Sequence, residues 1–317
     1  MKKDDMNKPF YTRFLFRPII NLIKRVAFEG YGSNLCLEED FLPVPVHFSS
    51  PIPDIIDLKR RKIWMKKGKL SGIDFKIKEQ LHLLKELGKK YQKECQWSAK
   101  PTANQVDFFT NNQSFGFGCA AILHSMIREF QPKNIIEIGS GNSSKIISEA
   151  LKLNKGKVNY IIIDPYPPDY IRQRKIEYNR MIKKRVELLD SRFFDQLKKD
   201  DILFIDSSHT VKIGGDVNFL YLEVLPRLNP GVIVHIHDIA LPYEYPEIYA
   251  TSEVFRQFWT EQYLLQSFLC FNPEFEILLA VGNIMVDYPN IFRKAFPAYN
   301  DPQIDKVNSG SFWIRRK

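Results

Sequence analysis

The segment Ile135-Ile136-Glu137-Ile138-Gly139-Ser140-Gly141-Asn142-Ser143-Ser144 constrains this chain more than any other, because an apolar run ends in Gly-x-Gly and passes straight into a helical pattern. Ile135 to Ile138 reads as a buried parallel strand, and Ile146, Ile147, Ala150 and Leu151 recur at helical spacing. Gly139 and Gly141 carry no Cβ, so the chain can turn sharply and a ligand can meet backbone there. The helix that begins near Ser143 aims its unpaired N–H groups at the same point. A nucleotide-like ligand suits such a turn.

The alternation of strand and helix continues beyond it. Val158 to Ile163 is a second apolar run, ending in Asp164-Pro165-Tyr166-Pro167-Pro168, and an acid at that strand end typically bonds the two hydroxyls of a ribose. A dinucleotide turn requires a third glycine where this chain has Ser144, which disfavours NAD. Glu137, at the mouth of the first strand, offers a carboxylate to a cationic cofactor tail or to a neighbouring amide. Further strands are predicted over Val186–Leu189, ending at Asp190-Ser191, over Ile202–Ile205, ending at Asp206, and over Val232–Ile236, ending at His237-Asp238. A helix over Val217–Arg227 separates the last two and closes at Pro230-Gly231. The pattern is that of a parallel sheet with helices on both faces.

With Glu137-Ile138-Gly139-Ser140-Gly141, Asp164 and these strand ends together, residues 105–317 resemble the class I S-adenosylmethionine-dependent methyltransferases. Phe204-Ile205-Asp206-Ser207-Ser208-His209 and His235-Ile236-His237-Asp238 are similar to segments of a group of bacterial methyltransferases whose acceptors the residues do not reveal. The resemblance implies an α/β, Rossmann-like, doubly wound seven-stranded sheet, its last strands near Phe275–Val281 and Ser311–Arg315 with a helix between them. It implies S-adenosylmethionine as cofactor, contacted by Glu137, Gly139, Ser140, Gly141, Ser143, Asp164, Pro165, Tyr166, Asp190, Ser191 and Asp206. For Asp190 and Ser191, an adenine-side contact and simple capping of the next helix both stay open.

Chemistry belongs at the carboxyl ends of the strands, where helix N-termini and loops converge. Two segments there are dense in ionisable residues, Asp206-Ser207-Ser208-His209 and His235-Ile236-His237-Asp238. Methyl transfer to an alcohol requires removal of its proton, a task suited to histidine, and His209 is the candidate base with His237 in reserve. A divalent ion, Mg²⁺ or Mn²⁺, is the second expectation, with Asp206 and Asp238 as ligands and His237 beside them. This looks like the metal-dependent O-methyltransferases that act on catechols and macrolide sugars, which carry acids at both strand ends, and in the macrolide-sugar group an Asp-x-x-His segment matches Asp206 and His209. His237 departs from that group, which has a second carboxylate there, and one charge fewer favours a softer ion or none. Asp206 and Asp238 can equally be caps, and His235 a satisfied core histidine.

Residues 1–104 read as a mostly helical N-terminal extension, with Pro43, Pro45, Pro51 and Pro53 marking an extended connector. Ile77, Leu81, Leu84, Leu87 and Tyr91 predict a helix capped by Asp74, and Gly116–Phe130 predicts another. The net charge of +9 draws on Arg13, Arg17, Lys24, Arg25, Lys59, Arg60, Arg61, Lys62, Lys66, Lys67 and Lys69, unaccompanied by any nucleic-acid module, so solvated helix faces are the expectation. Phe14, Phe16, Ile19, Ile20, Leu22, Ile23 and Val26 alternate with the first of these, as an amphipathic helix would, suited to a membrane surface or to docking on the protein. No apolar run approaches the roughly 20 residues of a span. Met1 to Asn7 does not resemble a secretory signal, and Cys36, Cys95, Cys119 and Cys270 show no Cys-x-x-Cys pair; a cytoplasmic protein with reduced thiols is expected.

Three function classes follow: an O-methyltransferase acting on a small molecule or glycan, a methyltransferase-like fold turned to another reaction of the cephalosporin hydroxylase type, and a non-catalytic adaptor retaining the cofactor pocket. Self-association of the chain is open. Phe115, Phe117, Tyr166, Tyr170, Tyr243 and Tyr245 are candidates to line an acceptor cavity, with Leu241–Pro246 as its cover.

Overall fold

The computed structural model describes residues 10–30, 32–252, 256–307 and 309–317, and side chains from Leu15 onward. The opening segment Met1 to Asn7, and the side chains of Arg13 and Phe14 in the expected amphipathic helix, lie outside the described residues. The chain forms two compact units, one from residues 1–63 with 248–258, the other from 64–247 with 259–317. The second therefore begins well before the boundary at 105 that the motifs suggest.

The larger unit is built on seven strands: β1 (Asn134–Ile138), β2 (Asn159–Ile163), β3 (Arg180–Ile182), β4 (Ile202–Ile205), β5 (Ile233–Ile236), β6 (Phe275–Ala280) and β7 (Phe312–Arg316). Their order is β3-β2-β1-β4-β5-β7-β6, with β7 antiparallel to both neighbours and the rest parallel. This is the doubly wound mixed sheet that the sequence predicts. The third strand is the exception. It lies at Arg180–Ile182, and Val186–Leu188 forms a 3₁₀ turn instead, because the short β3 is half exposed and gives no apolar run to read.

Successive strand side chains face opposite ways, so each strand feeds two cores. Ile135, Ile162, Phe204, Ile233 and Trp313 pack on one face, and Ile136, Ile161, Leu203, Val234 and Ile314 on the other. In the smaller unit, α1 (Phe10–Glu29), α2 (Ser33–Glu38) and α3 (Ile55–Arg61) show no buried side chain among the described residues. Asp54 caps α3 by accepting from the Ile56 and Asp57 amides. In the larger unit, α4 (Ile77–Tyr91), α5 (Phe117–Phe130) and α6 (Asn142–Leu153) contribute to the first core, where Leu84, Leu87, Ile122 and Ile147 are buried. Lys76 with a positive φ, not Asp74, stands at the cap of α4, which makes no side-chain capping bond.

Short α7 (Asp169–Arg172) follows β2, and α8 (Asp216–Phe219) runs on through a π turn and a 3₁₀ turn to Arg227, filling the predicted 217–227 helix. After α9 (Glu247–Thr251), α10 (Glu261–Leu269) adds Leu265 and Leu269 to the second core. The expected helix between β6 and β7 is two, α11 (Val281–Asp287) and α12 (Pro289–Ala295).

Two helices approach closely at Gly88 on α4, where an added Cβ would come within 2.5 Å of the Ala295 carbonyl at the end of α12. Glycine to alanine in an open helix stabilises by about 1 kcal/mol. Here, overpacking of about 1–3 kcal/mol opposes it. Gly88→Ala is therefore expected to lower the urea midpoint; an unchanged or raised midpoint would show that the contact is looser than described.

Candidate functional site

The turn after β1 is held from beneath. Glu137 is fully buried, and its carboxylate accepts from Ser143 Oγ at 2.7 Å, from Ser144 Oγ at 2.8 Å and from the Tyr160 hydroxyl. Burial pushes the Glu137 carboxyl up, the three hydroxyls pull it back, and it rests at about 7. Its oxygens are thus taken up within the fold, and neither Glu137 nor Ser143 faces the cavity as a cofactor contact would. Gly139 has a φ of +75°, and a Cβ there would run into the Asp206 carbonyl. At Gly141, by contrast, a Cβ would meet no protein atom within 4 Å.

A cavity of about 430 Å³ opens beside this turn, within the range of roughly 300–1,000 Å³ of small-molecule sites. Gly139, Asp164, Pro165, Tyr166 and Asp206 line it. Asp164 accepts from the Ser140 amide at 2.9 Å and hydroxyl, and from the Tyr166 amide at 2.7 Å, so the carboxylate expected at a ribose also ties the ends of β1 and β2 together. On the far side the wall is Arg185, Val186 and Glu187. Asp190 is occupied elsewhere, capping the 3₁₀ turn at Ser191 and pairing with Arg192, and neither Asp190 nor Ser191 lines the cavity. A larger cavity, about 570 Å³, lies at the other ends of the strands, beside Lys157 and Tyr178, away from the ionisable segments.

Those segments converge at the ends of β4 and β5. His209 Nε2 lies 3.2 Å from Asp206 Oδ1 and 3.6 Å from Asp238 Oδ2. One ligand atom from each of Asp206, His209 and Asp238 falls within 4.8 Å of the other two. His209 and Asp238 have φ values of +56° and +54°, left-handed conformations that cost non-glycine residues free energy and concentrate at functional sites. His237, expected as the third metal-side residue, stands beside the trio: it is buried with its ring 5.0 Å from Phe115, and its Nε2 is 3.6 Å from Asp238 Oδ1. His235 is a core histidine, stacked on Phe204 at 4.2 Å and bonded to Ser311 Oγ, with burial holding it neutral.

The fully buried Glu261, at the start of α10, organises the centre and is absent from the sequence motifs. Its Oε2 is 2.8 Å from His209 Nδ1 and accepts from Ser207 Oγ at 2.8 Å. The Thr260 and Glu261 amides both donate to the His209 carbonyl, at 2.8 and 3.1 Å, and the Trp259 ring lies 4.5 Å from the imidazole. Asp216 fixes the same loop by accepting from the Ser208 amide at 2.7 Å and hydroxyl at 2.6 Å. In sequence, Thr260-Glu261 signals only a helix start. Burial favours a neutral His209 ring, but Asp206 and Glu261 outweigh it and raise the ring to about 10, a direction that favours the imidazolium at neutral pH. Burial likewise opposes the Asp206 charge, while His237 and His209 hold its carboxyl below the usual value.

Several aromatic candidates belong to packing. Phe115 and Phe117 are core residues, and Tyr245 is buried with its hydroxyl accepting from the Gln262 amide. The 241–246 loop is fastened, Pro242 by the Gly68 amide and Tyr243 by Asp287. Tyr166 stays exposed at the cavity edge.

Residues 136–239 match the family described as "Methyltransferase domain". An uncharacterized protein of Archaeoglobus fulgidus is 33% identical over 166 residues, 50% of this chain and 75% of that one. Among solved structures, the O-methyltransferase TomG from Streptomyces achromogenes, in complex with SAM, is similar at 12% identity and a TM-score of 0.37, over 74% of this chain and 88% of that one. The SAH-bound Podospora anserina methyltransferase PaMTH1 is similar at 14% identity and a TM-score of 0.37, over 87% and 100% of the two chains. The matched region runs from the Gly139 turn through Asp164 and Asp206 to Asp238, on the sheet order described above, and this part of the chain is a methyltransferase domain of that family.

Proposed function

We propose that this chain transfers the methyl group of S-adenosylmethionine to a hydroxyl oxygen of a small molecule or glycan, at the cluster of Asp206, His209 and Asp238. The convergence of these three side chains beside the cavity that Gly139 and Asp164 line carries the reading. The donor occupies that cavity, with Asp164 available to the ribose hydroxyls and Gly141 leaving room beside the turn. A bound acceptor hydroxyl loses its proton as oxygen attacks the methyl carbon, and the sulfonium leaves as a neutral thioether.

His209 serves this reaction through Nε2, the ring atom turned towards both aspartates, while Glu261 holds Nδ1. Once the ring has given up its own proton, Nε2 can take that of the acceptor, and Asp206 and Asp238 stabilise the imidazolium that forms. The same atoms fit a divalent ion: two carboxylates and an imidazole whose second nitrogen is fixed by a buried acid are a recurrent ligand arrangement. Asp206, His209 and Asp238 would hold it, the imidazole favouring Mn²⁺ over Mg²⁺, and the ion would acidify a coordinated hydroxyl.

The test is an acceptor panel with labelled methyl donor, with and without chelator. His209→Ala is expected to lower methyl transfer by about 10²–10⁴-fold with donor affinity retained. If Asp206→Asn and Asp238→Asn reproduce the effect of chelator, and Mn²⁺ restores the chelated wild type, His209 acts as a ligand. Activity indifferent to chelator leaves it as the base. Full activity in His209→Ala would remove the cluster from the reaction.

Both roles need a neutral ring, so the protonated state at neutral pH is itself testable. A base with a raised folded value keeps its proton until pH climbs through that value, and the reactive form gains population as pH rises. Ring-nitrogen NMR of the metal-free protein should find His209 protonated through neutral pH, titrating at about 10, and Glu261→Gln should move the midpoint down. Titration near the ordinary value of about 6.5 would contradict the clamp.

A further inference from the structure

Helix α1 carries an exposed apolar face that its own compact unit leaves uncovered. Leu15, Phe16, Ile19, Ile20, Leu22 and Ile23 are all exposed, from 37% at Ile23 to 62% at Leu15. At about 100° of rotation per residue these six span an arc of roughly 160°, with Val26 inside it, while Arg17, Asn21, Lys24 and Arg25 occupy the opposite side. Among the described side chains of α1, Phe28 is the large apolar residue that falls among the basic ones. The same compact unit exposes Phe41, Leu42, Val44, Val46 and Phe48. Contiguous exposed apolar surface on this scale marks an interaction site.

We infer that α1 lies in the plane of an anionic lipid surface, its apolar face in the acyl boundary and Arg17 and Lys24 among the headgroups. Among the described residues no helix is long and apolar enough to cross a membrane, and the described charged residues of α1 fall on one side, the pattern of a helix that lies in the interface. Charge selects the occupant. The chain carries +9, which attracts it to anionic headgroups and opposes association of two copies. This inference is independent of the proposed reaction.

Sedimentation of the full chain with phosphatidylcholine vesicles, with and without phosphatidylglycerol, tests it. Binding should require the anionic lipid and weaken as salt is raised. Ile19→Asp with Ile23→Asp alters exposed positions only, so the chain should fold normally, by circular dichroism, and lose vesicle binding. Arg17→Glu with Lys24→Glu should weaken binding by on the order of thirtyfold or more, given the attraction of each basic residue to an anionic surface. No binding by the wild type, or binding unchanged in both variants, would overturn the inference. So would a concentration-dependent dimer that the Ile19→Asp, Ile23→Asp pair dissociates in a protein that ignores vesicles, since the apolar face would then belong to a second copy.

Discussion

Everything in the candidate site follows from the contact between Gly139 and the backbone of Asp206. Pairing of β1 with β4 aligns Ile138 with Ile205, so the residues that follow each strand emerge side by side, and the Asp206 amide donates to the Ile138 carbonyl at 2.9 Å. A Cβ at position 139 would occupy the space of the Asp206 carbonyl, which makes glycine a packing requirement as well as a conformational one. The Gly139 turn is thereby pressed against the loop that carries the ionisable cluster. The adjacent β5, in register with β4, then delivers His237 and Asp238 to the same edge.

Two buried glutamates stabilise this edge in different ways. Glu137 gathers three hydroxyls under the Gly139 turn, and burial raises its carboxyl to about 7 against their pull. Glu261 works on the other side, through the His209 ring and through the Ser207 hydroxyl, while the start of α10 donates two amides to the His209 carbonyl. A left-handed His209 would be costly as an isolated feature. These bonds over-determine it, as expected where backbone strain serves a site.

The sheet was legible in the sequence because its central strands are buried on both faces and read as largely apolar runs, broken only by Glu137 and His235, each followed directly by residues of the site. Where a strand is short and half exposed, as at Arg180–Ile182, that signal vanishes, and the apolar run just after it belongs to a turn. Gly139, Asp164, Asp206, His209 and Asp238 were all visible because they sit one to four residues beyond such runs. Glu261 was not, because it reaches the centre from a helix more than fifty residues further along, and only the packing of α10 on the second core brings it there. The partners of Glu137 were hidden for a related reason: sequence places an acid next to the turn but does not show the Ser143, Ser144 and Tyr160 hydroxyls that gather on its carboxylate.

The claim on which the rest depends is that the cavity between the Gly139 turn and Asp164 holds the methyl donor, and calorimetric titration with S-adenosylhomocysteine addresses it directly. Wild type and Ser140→Ala, which removes only a hydroxyl bond to Asp164, should bind with similar micromolar affinity. Asp164→Ala should be weaker by about 2–4 kcal/mol, the scale of two lost charge-assisted hydrogen bonds. Absence of heat with the wild type, or equal affinity in Asp164→Ala, would contradict the account.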